Sequence, residues 1–337
     1  MNHSVLDLQT TKSNSERREG TLRPLLNVLI RYNFVAIFLI VVVIASLLSE
    51  NFLTVQNVAN LFQQATIVGV VAVGMTFVIL TANIDLSVGS QVALGGMLVA
   101  VLMRNGAPPV VAMALTVAAG ATLGLVIGTI TAYADVPSFI VTLAGLVSIR
   151  GVTFLISQGT PLGGFPAEFN ILGSARIGDF AAMAFVFIGV AIIAFLILRF
   201  TVLGEYVYAT GGNSQAARLS GVPTKRIISL VFVLSGALAA LSGILLTARL
   251  RIGQPTAAQG LELDAIAAVV LGGTSLFGGR GGVVGTFFAV MLLQVLRNVF
   301  NLLGLGSFYQ MTVTGVIILL AILLNKLIDS RRGASAD

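Results

Sequence analysis

The sequence lacks several of the residue types on which enzymes and metal sites depend. Its 337 residues include no cysteine and no tryptophan, and His3 is the only histidine. Without cysteine the chain has no disulfide framework and no thiolate ligand for a metal. Without a second imidazole it cannot build a histidine-based catalytic triad or a zinc cluster. We therefore expect no metal site, no catalytic residues and no enzymatic activity in this chain.

Charge is scarce as well. Only 9% of the residues are charged and 57% are hydrophobic, and the mean hydropathy is +1.01. A soluble domain carries roughly a quarter charged residues. The composition therefore predicts an all-α polytopic membrane protein in contact with lipid. Acidic residues are few in the apolar regions, which disfavours a proton-coupled relay.

Ten apolar runs follow one another along the chain. They lie at 34–50, 58–81, 88–104, 109–134, 138–157, 180–200, 227–248, 262–278, 283–303 and 309–328. A helix needs about 20 residues to cross a bilayer. The third and eighth runs are short or interrupted by glycine. We predict about ten transmembrane helices, some of them short or broken.

Lysine and arginine predict the orientation, because they are enriched in cytoplasmic loops. With the N-terminus inside, 13 of the 19 basic residues face the cytoplasm and four face outward. Both termini are then cytoplasmic, with a tail at 1–33, a membrane domain at 34–328 and a tail at 329–337. The N-terminal tail has no signal-peptide pattern. The basic residues are scattered, which does not suggest a nucleic-acid partner.

Small residues recur at every fourth position of the fourth run. They are Ala112, Thr116, Gly120, Gly124, Gly128 and Ala132. Such a stripe lets a second helix approach closely in lipid. We predict that this face packs against another span.

A short polar segment, 211–227, separates two long apolar runs and carries helix signals of its own. Ser214 can cap an N-terminus, Gly221 can take the left-handed conformation that ends a helix, and Pro223 follows it. The orientation places this segment in a cytoplasmic loop, 201–226. A small helix in an aqueous loop is a candidate docking surface.

Two polar interruptions of the apolar runs are candidates for a transport pathway. Asn83, Asp85 and Ser87 stand between the second and third runs. They form either a tight turn in which Asp85 or Ser87 caps the third span, or part of a pathway or gate. Arg150, near the outer end of the fifth run, either reaches outward to the interface or lines a water-filled vestibule.

Arg249 and Arg251 stand on the predicted outer side, against the usual charge bias. They suggest an acidic partner outside. The alternatives are contact with lipid headgroups or pairing with Glu262 or Asp264, and Asp264 is also a candidate for the pathway.

The glycine-rich stretch 271–286 resembles a phosphate-binding loop only superficially. Gly273 is followed after four residues by Gly278, Gly279 and Arg280, with no lysine and no hydroxyl residue directly after them. A P-loop requires both. We expect no nucleotide site here, and predict either a tight turn or a broken helix that lines a cavity.

Six segments together resemble the permease subunits of bacterial ABC sugar importers of the ribose, xylose and arabinose type. They are IDLSVGS, PSFIVTLAGLVSIRG, YATGGNSQAARLSGV, SGALAALSGILLTARL, QPTAAQGLELDAIAAVVLGGTSLFGGRGGVVGT and NLLGLGSFYQ. The resemblance runs from about 57 to 324. It implies a permease that moves a monosaccharide across the bacterial inner membrane. The alternatives are a permease for another small polar solute (an autoinducer, polyol or branched-chain amino acid) or an ion-coupled secondary transporter.

The resemblance also implies partners. A separate ATPase subunit binds ATP and magnesium, so this chain holds no cofactor, and a short coupling helix of the permease enters a cleft of that subunit. The matching residues are Gly211, Gly212, Asn213, Ala216, Ala217, Arg218, Ser220 and Gly221. The wider importer pattern has Glu-Ala-Ala before its glycine, whereas Gln215 stands here. A sugar-binding protein outside, docking through Arg249 and Arg251, and a second permease copy complete the implied assembly.

Overall fold

The computed structural model describes residues 33–306 and, beyond them, positions 308, 309, 312, 313, 315, 316 and 319. Nearly all of the N-terminal tail, most of the tenth apolar run and the whole C-terminal tail lie outside these residues. The described part is helical, with a few very short strands.

Within the described residues, twelve helices and four strands follow in chain order. They are α1 Asn33–Leu48, α2 Val55–Leu80, α3 Val88–Arg104, α4 Pro109–Tyr133, α5 Ser138–Ser157, β1 Leu162–Gly163, α6 Ala167–Ser174, β2 Arg176–Ile177, β3 Phe180–Ala181, α7 Ala182–Phe200, α8 Val202–Gly212, α9 Ser214–Leu219, α10 Thr224–Leu250, β4 Ile252–Gly253, α11 Leu261–Leu271 and α12 Val283–Leu302. Six helices, α2, α4, α5, α7, α10 and α12, are long and apolar enough to cross a membrane, and α1 and α3 are shorter apolar helices. The predicted all-α membrane class is confirmed.

The eighth apolar run is the main departure from the predicted spans. Its helix, α11, has 11 residues and ends at Leu271 rather than continuing to residue 278. Gly273 and Gly278 follow with φ angles of +84° and +81°. Glycine adopts these left-handed angles without a side-chain clash, so the chain turns here. At 1.5 Å per residue, α11 is only about 16 Å long, roughly half the thickness of the hydrocarbon core.

The helices α4 and α10 pack face to face along the predicted stripe of small residues. A methyl group added to Gly124 would lie 2.1 Å from the backbone oxygen of Phe232, and one on Gly120 would lie 2.4 Å from the oxygen of Gly236. A methyl group added to Gly128 would lie 2.9 Å from Ser229 Cα. All six residues of the stripe are buried. The prediction of close packing is confirmed, and α10 is the partner.

The helix α2 forms the other half of the core. It is buried over most of its length, with Val70, Val73 and Val78 fully inaccessible. Gly74 allows α2 to approach Ser235 of α10. The helix α12 packs on α2, and α1 packs on α12. Helices α2 and α10 are therefore central, and the other helices surround them.

The two ends of the bundle differ. At one end, called here the α9 end, lie α8, α9 and the start of α10. At the other, the α6 end, α6 packs on the end of α10, and β1 pairs with β4 through Leu162 and Gly253. The strands β2 and β3 form a small hairpin before α7.

Candidate transport site and coupling helix

The polar segment found in the sequence is a separate short helix, α9. Asn213 has an extended backbone with φ −158°, and its Oδ1 accepts a hydrogen bond of 2.9 Å from the Ala216 amide. Asn213 is therefore the N-cap, rather than Ser214 as predicted. At the other end Gly221 has φ +88°, and the Val222 amide donates to the Ala217 carbonyl at 3.0 Å. The left-handed stop at Gly221 is confirmed.

The helix α9 presents an exposed surface made by only some of its residues. Ala217 is 6% exposed and faces the chain itself, because α9 packs on α8 and on the start of α10. Ala216, Arg218 and Ser220 are exposed, and Leu219 is 82% exposed. Leu219 therefore gives the exposed surface of α9 an apolar side chain beside the charge of Arg218. Sequence reasoning missed Leu219, although it stands between two of the residues singled out.

Three backbone segments meet just behind α9. Gly211, at the end of α8, lies against the end of α2, where an added methyl group would come closer than van der Waals contact to the Leu80 oxygen. The Gly279 amide donates to that same oxygen at 2.9 Å. Gly278 in turn lies against Gly211 and Ala82. Side chains would prevent this approach, which accounts for part of the glycine content of the stretch after α11.

Tyr208 adds a side-chain link to the same junction. Its hydroxyl donates to the Gly281 carbonyl at 2.9 Å. Burial raises the pKa of Tyr208, and the nearby Arg199 opposes that shift. The hydroxyl therefore keeps its proton at neutral pH and remains a donor. The helix α8, which directly precedes α9, is thus connected to α2 and to the loop after α11.

Asp85 lies in an extended segment that leads from α2 back into the bundle. Its Oδ1 accepts from the Ser87 amide at 3.0 Å and from Ser87 Oγ at 2.5 Å, and its Oδ2 accepts from Ser235 Oγ at 3.1 Å. Asp85, Ser87 and Ser235 are all buried. Ser235 lies about 16 Å along α10 from Thr224. The carboxylate therefore lies deep in the bundle, next to the positive N-terminal end of α3.

The backbone around Asp85 is held by α5. Ser138 Oγ accepts from the Ile84 amide at 3.1 Å, and Thr142 Oγ1 donates to the Ile84 carbonyl at 3.3 Å. Asn83 is partly buried and donates to the Thr81 carbonyl at 2.9 Å. Non-helical backbone inside a membrane needs such partners, because no water is present to supply them.

Arg150 binds the segment between β4 and α11. Its Nη1 donates to the carbonyls of Pro255 at 2.9 Å and Ala257 at 2.8 Å. Glu262 lies close by, and its carboxylate is in contact with Gly89 near the start of α3. The guanidinium of Arg150 on α5 therefore holds this loop in place.

Asp264 and Arg297 form an ion pair between α11 and α12. Arg297 Nη2 lies 2.5 Å from Asp264 Oδ1, and their side chains are 26% and 23% exposed. The carboxylate stands in the first turn of α11, where the helix dipole favours a negative charge. Asp264 is therefore neutralised but still accessible from one side.

A row of amide pairs between α2 and α12 was missed in the sequence. Asn57 and Asn298 exchange two hydrogen bonds of 3.0 and 2.8 Å, and Gln294 donates to Gln64 at 2.9 Å. Gln294, Arg297 and Asn298 follow at helical spacing, so they share one face of α12. That spacing is the signal which could have revealed a polar face in the ninth apolar run.

Arg249 and Arg251 stand at the end of α10 in different environments. Arg251 is exposed and has a left-handed φ of +56°. Arg249 is partly buried. The proposed pairing with Glu262 or Asp264 is not formed within residues 33–306, since Asp264 binds Arg297 and Glu262 contacts Gly89. In the same part of the chain, no group of acidic and histidine side chains could hold a metal ion.

These features define a class of protein before any relative is considered. Central membrane-spanning helices, interrupted helices with buried polar contacts, and an exposed helix at one end are the architecture of a membrane transport permease. The family model described as the branched-chain amino acid transport system / permease component matches residues 57–322. The chain belongs to this family.

Curated relatives agree with this membership. The chain is 45% identical over 295 residues to the ribose import permease protein RbsC of Escherichia coli K12, covering 85% of this chain and 91% of the relative. It is 42% identical to the protein of the same name from Bacillus subtilis, covering 87% and 91%. It is 36% identical to the L-arabinose ABC transporter permease protein AraH of Azospirillum brasilense, covering 94% and 93%. No solved structure matches the chain.

Proposed function

We propose that this chain is the permease subunit of an ABC importer that carries a monosaccharide across the bacterial inner membrane. The observation that carries the proposal is the high identity, over most of both chains, to permeases named for ribose import in two bacteria. Relatives named for allose and arabinose indicate the same class of substrate, a five- or six-carbon sugar.

Transport in reconstituted vesicles tests the proposal. The chain would be incorporated with its ATPase subunit, the sugar-binding protein added outside and ATP supplied inside. We expect uptake of labelled ribose, allose or arabinose that depends on ATP and on all components. Vesicles with the chain alone and an ion gradient should take up none of them. Uptake by the chain alone would favour the ion-coupled transporter, and ATP-driven uptake of a branched-chain amino acid or a polyol instead would change the substrate class.

The exposed surface of α9 is proposed as the contact with the ATPase subunit, which binds ATP and magnesium. Asn213 and Gly221 define the two ends of this short helix. Ala216, Arg218 and Leu219 are on its exposed surface, and Ala217 anchors it to the chain. The junction of Gly211 and Gly212 with α2 and the loop after α11 gives movement of α9 a direct route into the bundle.

We propose about ten membrane spans with both termini in the cytoplasm. Six long helices, the shorter α1 and α3, and the half-length α11 supply nine of them. The tenth corresponds to the apolar run at 309–328. The α9 end of the bundle is then cytoplasmic, and the α6 end faces outward.

The solute path is proposed to pass the residues that the sequence singled out. Asn83, Arg150 and Asp264 are partly exposed and carry polar atoms that can contact sugar hydroxyl groups. Asp85 and Ser87 are completely buried and contribute by holding α3 against α10.

Two further partners are proposed, a second copy of this chain and a sugar-binding protein on the outer side. The docking site for the binding protein includes Arg249 and Arg251. Arg251 is the more exposed of the two, so it makes the main contact with an acidic surface.

A further inference from the structure

An apolar groove runs along the surface of the bundle near its α6 end. It lies between α4, α7 and α10, with α6 at its upper end, and has a volume of about 600 Å³. Among its lining residues are Ala114, Ala118, Leu172, Val186, Leu241 and Leu245. The volume is typical of sites for small molecules, roughly 300–1,000 Å³. Ala114 and Ala118 are exposed, so the groove is open at the side of the bundle.

The groove begins at the depth where lipid chains begin. Ala114 is five residues from the start of α4, Val186 four from the start of α7, and Leu245 five from the end of α10. At 1.5 Å per residue these positions lie about 6 to 8 Å below the helix ends. The upper end of the groove is therefore at the membrane interface, and its lower part extends into the hydrocarbon layer.

Arg249 is the basic residue of α10 nearest in sequence to the upper end of this groove, one helical turn beyond its lining residue Leu245. It follows Leu245 by four residues and therefore lies on the same face of α10, one turn nearer the interface. Side chains on a helix lean toward its N-terminus, which directs the guanidinium over Leu245. Gly173, next to the lining residue Leu172, lies against the backbone of Arg249. The arginine is thus beside the groove rather than on the outer loop.

The charge of Arg249 lacks compensation within residues 33–306. It is partly buried, and the described residues form neither an ion pair nor a hydrogen bond with it. The groove below it is lined entirely by alanine, valine, leucine, isoleucine and methionine side chains. A ligand that complements both features must be anionic at one end and a long hydrocarbon at the other.

We infer that this groove binds an anionic phospholipid, with one acyl chain along α4 and α10 and the phosphate held by Arg249. A guanidinium suits a phosphate because it offers several donors in one plane. Basic side chains beside grooves between membrane helices bind lipid headgroups in this manner. The surrounding bilayer supplies the ligand at high local concentration. The site therefore lies apart from both the solute path and α9, and with Arg249 held by the lipid, the exposed Arg251 is left as the contact for the binding protein.

Native mass spectrometry of the purified chain tests this inference. Phosphatidylglycerol and phosphatidylcholine with identical acyl chains would be added in equal amounts, and the lipid retained would be counted. We expect preferential retention of phosphatidylglycerol by the natural chain. Arg249→Gln should lower that retention about tenfold, as the loss of one charge-assisted contact predicts. Arg251→Gln, at the same helix end but exposed, is the matched control and should retain lipid normally.

A second pair of variants tests the acyl chain. Ala118→Phe fills the groove without changing charge and should lower retention of both lipids. Leu115→Phe adds an aromatic ring to a bilayer-facing position of the same helix that does not line the groove, so it should leave lipid retention unchanged.

Equal retention by the natural chain and Arg249→Gln would overturn the inference, as would equal retention of the two lipids. Displacement of the lipid by millimolar inorganic phosphate would identify a simple anion site instead. Loss of a dimer in Ala118→Phe with unchanged lipid would assign the groove to a second copy of the chain.

Discussion

Several buried polar side chains among the described residues are joined in pairs and short chains. Asp85 accepts three hydrogen bonds from two serines, and Arg150 binds two carbonyls. An unsatisfied polar group in a low-dielectric interior costs free energy, so each polar residue in a span needs a partner. Some of those partners come from distant parts of the chain, since Ser235 is 150 residues from Asp85. Polar contacts therefore determine how the helices are positioned against one another.

Ser235→Ala tests the contact between Asp85 and α10. The variant leaves Oδ2 of a buried carboxylate without its donor, so we expect the free energy of unfolding to fall by about 1 to 3 kcal/mol. Thermal unfolding of the purified protein in detergent measures the loss. Ser148→Ala is the control, because Ser148 is exposed on α5 and should be neutral. Equal stability of the two variants would show that Asp85 does not depend on Ser235.

At the scale of elements, glycine determines which helices approach and where they end. Gly120, Gly124 and Gly128 let α4 lie on α10 with backbone contact. Gly221 ends α9, and Gly273 and Gly278 turn the chain after α11. In a membrane no hydrophobic effect drives helices together, so close van der Waals packing of small residues has to contribute instead. The two uses of glycine need different tests.

Gly124→Ala tests packing. Its new methyl group would lie 2.1 Å from the Phe232 oxygen, which is backbone and cannot move away as a side chain could. We expect α4 to be displaced and the protein to lose about 1 to 3 kcal/mol of stability, the usual cost of overpacking. Gly151→Ala is the matched control, since that glycine lies in a membrane helix with nothing within 4 Å of an added Cβ. Similar melting temperatures for both variants would argue against a close contact at Gly124.

Gly221→Val tests the end of α9. The space around Gly221 is open, so the effect of the substitution comes from its φ of +88° and not from a clash. A β-branched residue is strained there by roughly 1 to 2 kcal/mol, and we expect weaker co-purification of the ATPase subunit with normal membrane insertion.

Gly221→Asn separates this conformational effect from loss of the glycine itself, because asparagine tolerates the left-handed region. Association with the ATPase should largely recover in that variant. Full association in Gly221→Val would show that the contact does not need this helix end.

At the scale of the whole molecule, the two ends of the bundle have different proposed partners. The α9 end carries an exposed Leu219 in a short capped helix, and the α6 end carries Arg251, Arg249 and the short strands. Helices α2 and α10, both largely buried, run between them. In the proposed importer, movement of α9 would reach the rest of the bundle through these two largely buried helices.

The absence of cysteine makes the proposed orientation directly testable. Single substitutions Ser214→Cys and Arg251→Cys place a thiol at an exposed position on each end of the bundle. In intact cells a membrane-impermeant maleimide should label Arg251→Cys at once, and Ser214→Cys only after the membrane is opened. Because the natural chain has no thiol, it provides the background. The reverse labelling pattern would invert the proposed topology.

Much of the architecture could be predicted from the sequence, because a segment that crosses lipid must be apolar and must pair its backbone polar groups internally. Low charge, ten apolar runs and the four-residue repeat in α4 predicted a helical membrane protein and one packing face, and Gly221 was correctly predicted to end a helix. The prediction failed where two local signals compete. Asn213 and Ser214 are both good capping residues, and the sequence favoured Ser214. The run 262–278 was drawn too long, but the turn at Gly273 and Gly278 agrees with the tight turn or broken helix predicted for this stretch.

Local composition and hydropathy could establish that segments cross a membrane, because burial in lipid acts on each segment separately. Which segments meet depends on contacts between residues that are 33 to 150 positions apart. The bond between Asp85 and Ser235, the ion pair of Asp264 with Arg297 and the meeting of Gly211 with Leu80 became visible once the chain was folded. Hydrogen bonds and close backbone approach require a specific geometry, which the packed helices supply and a linear pattern does not contain.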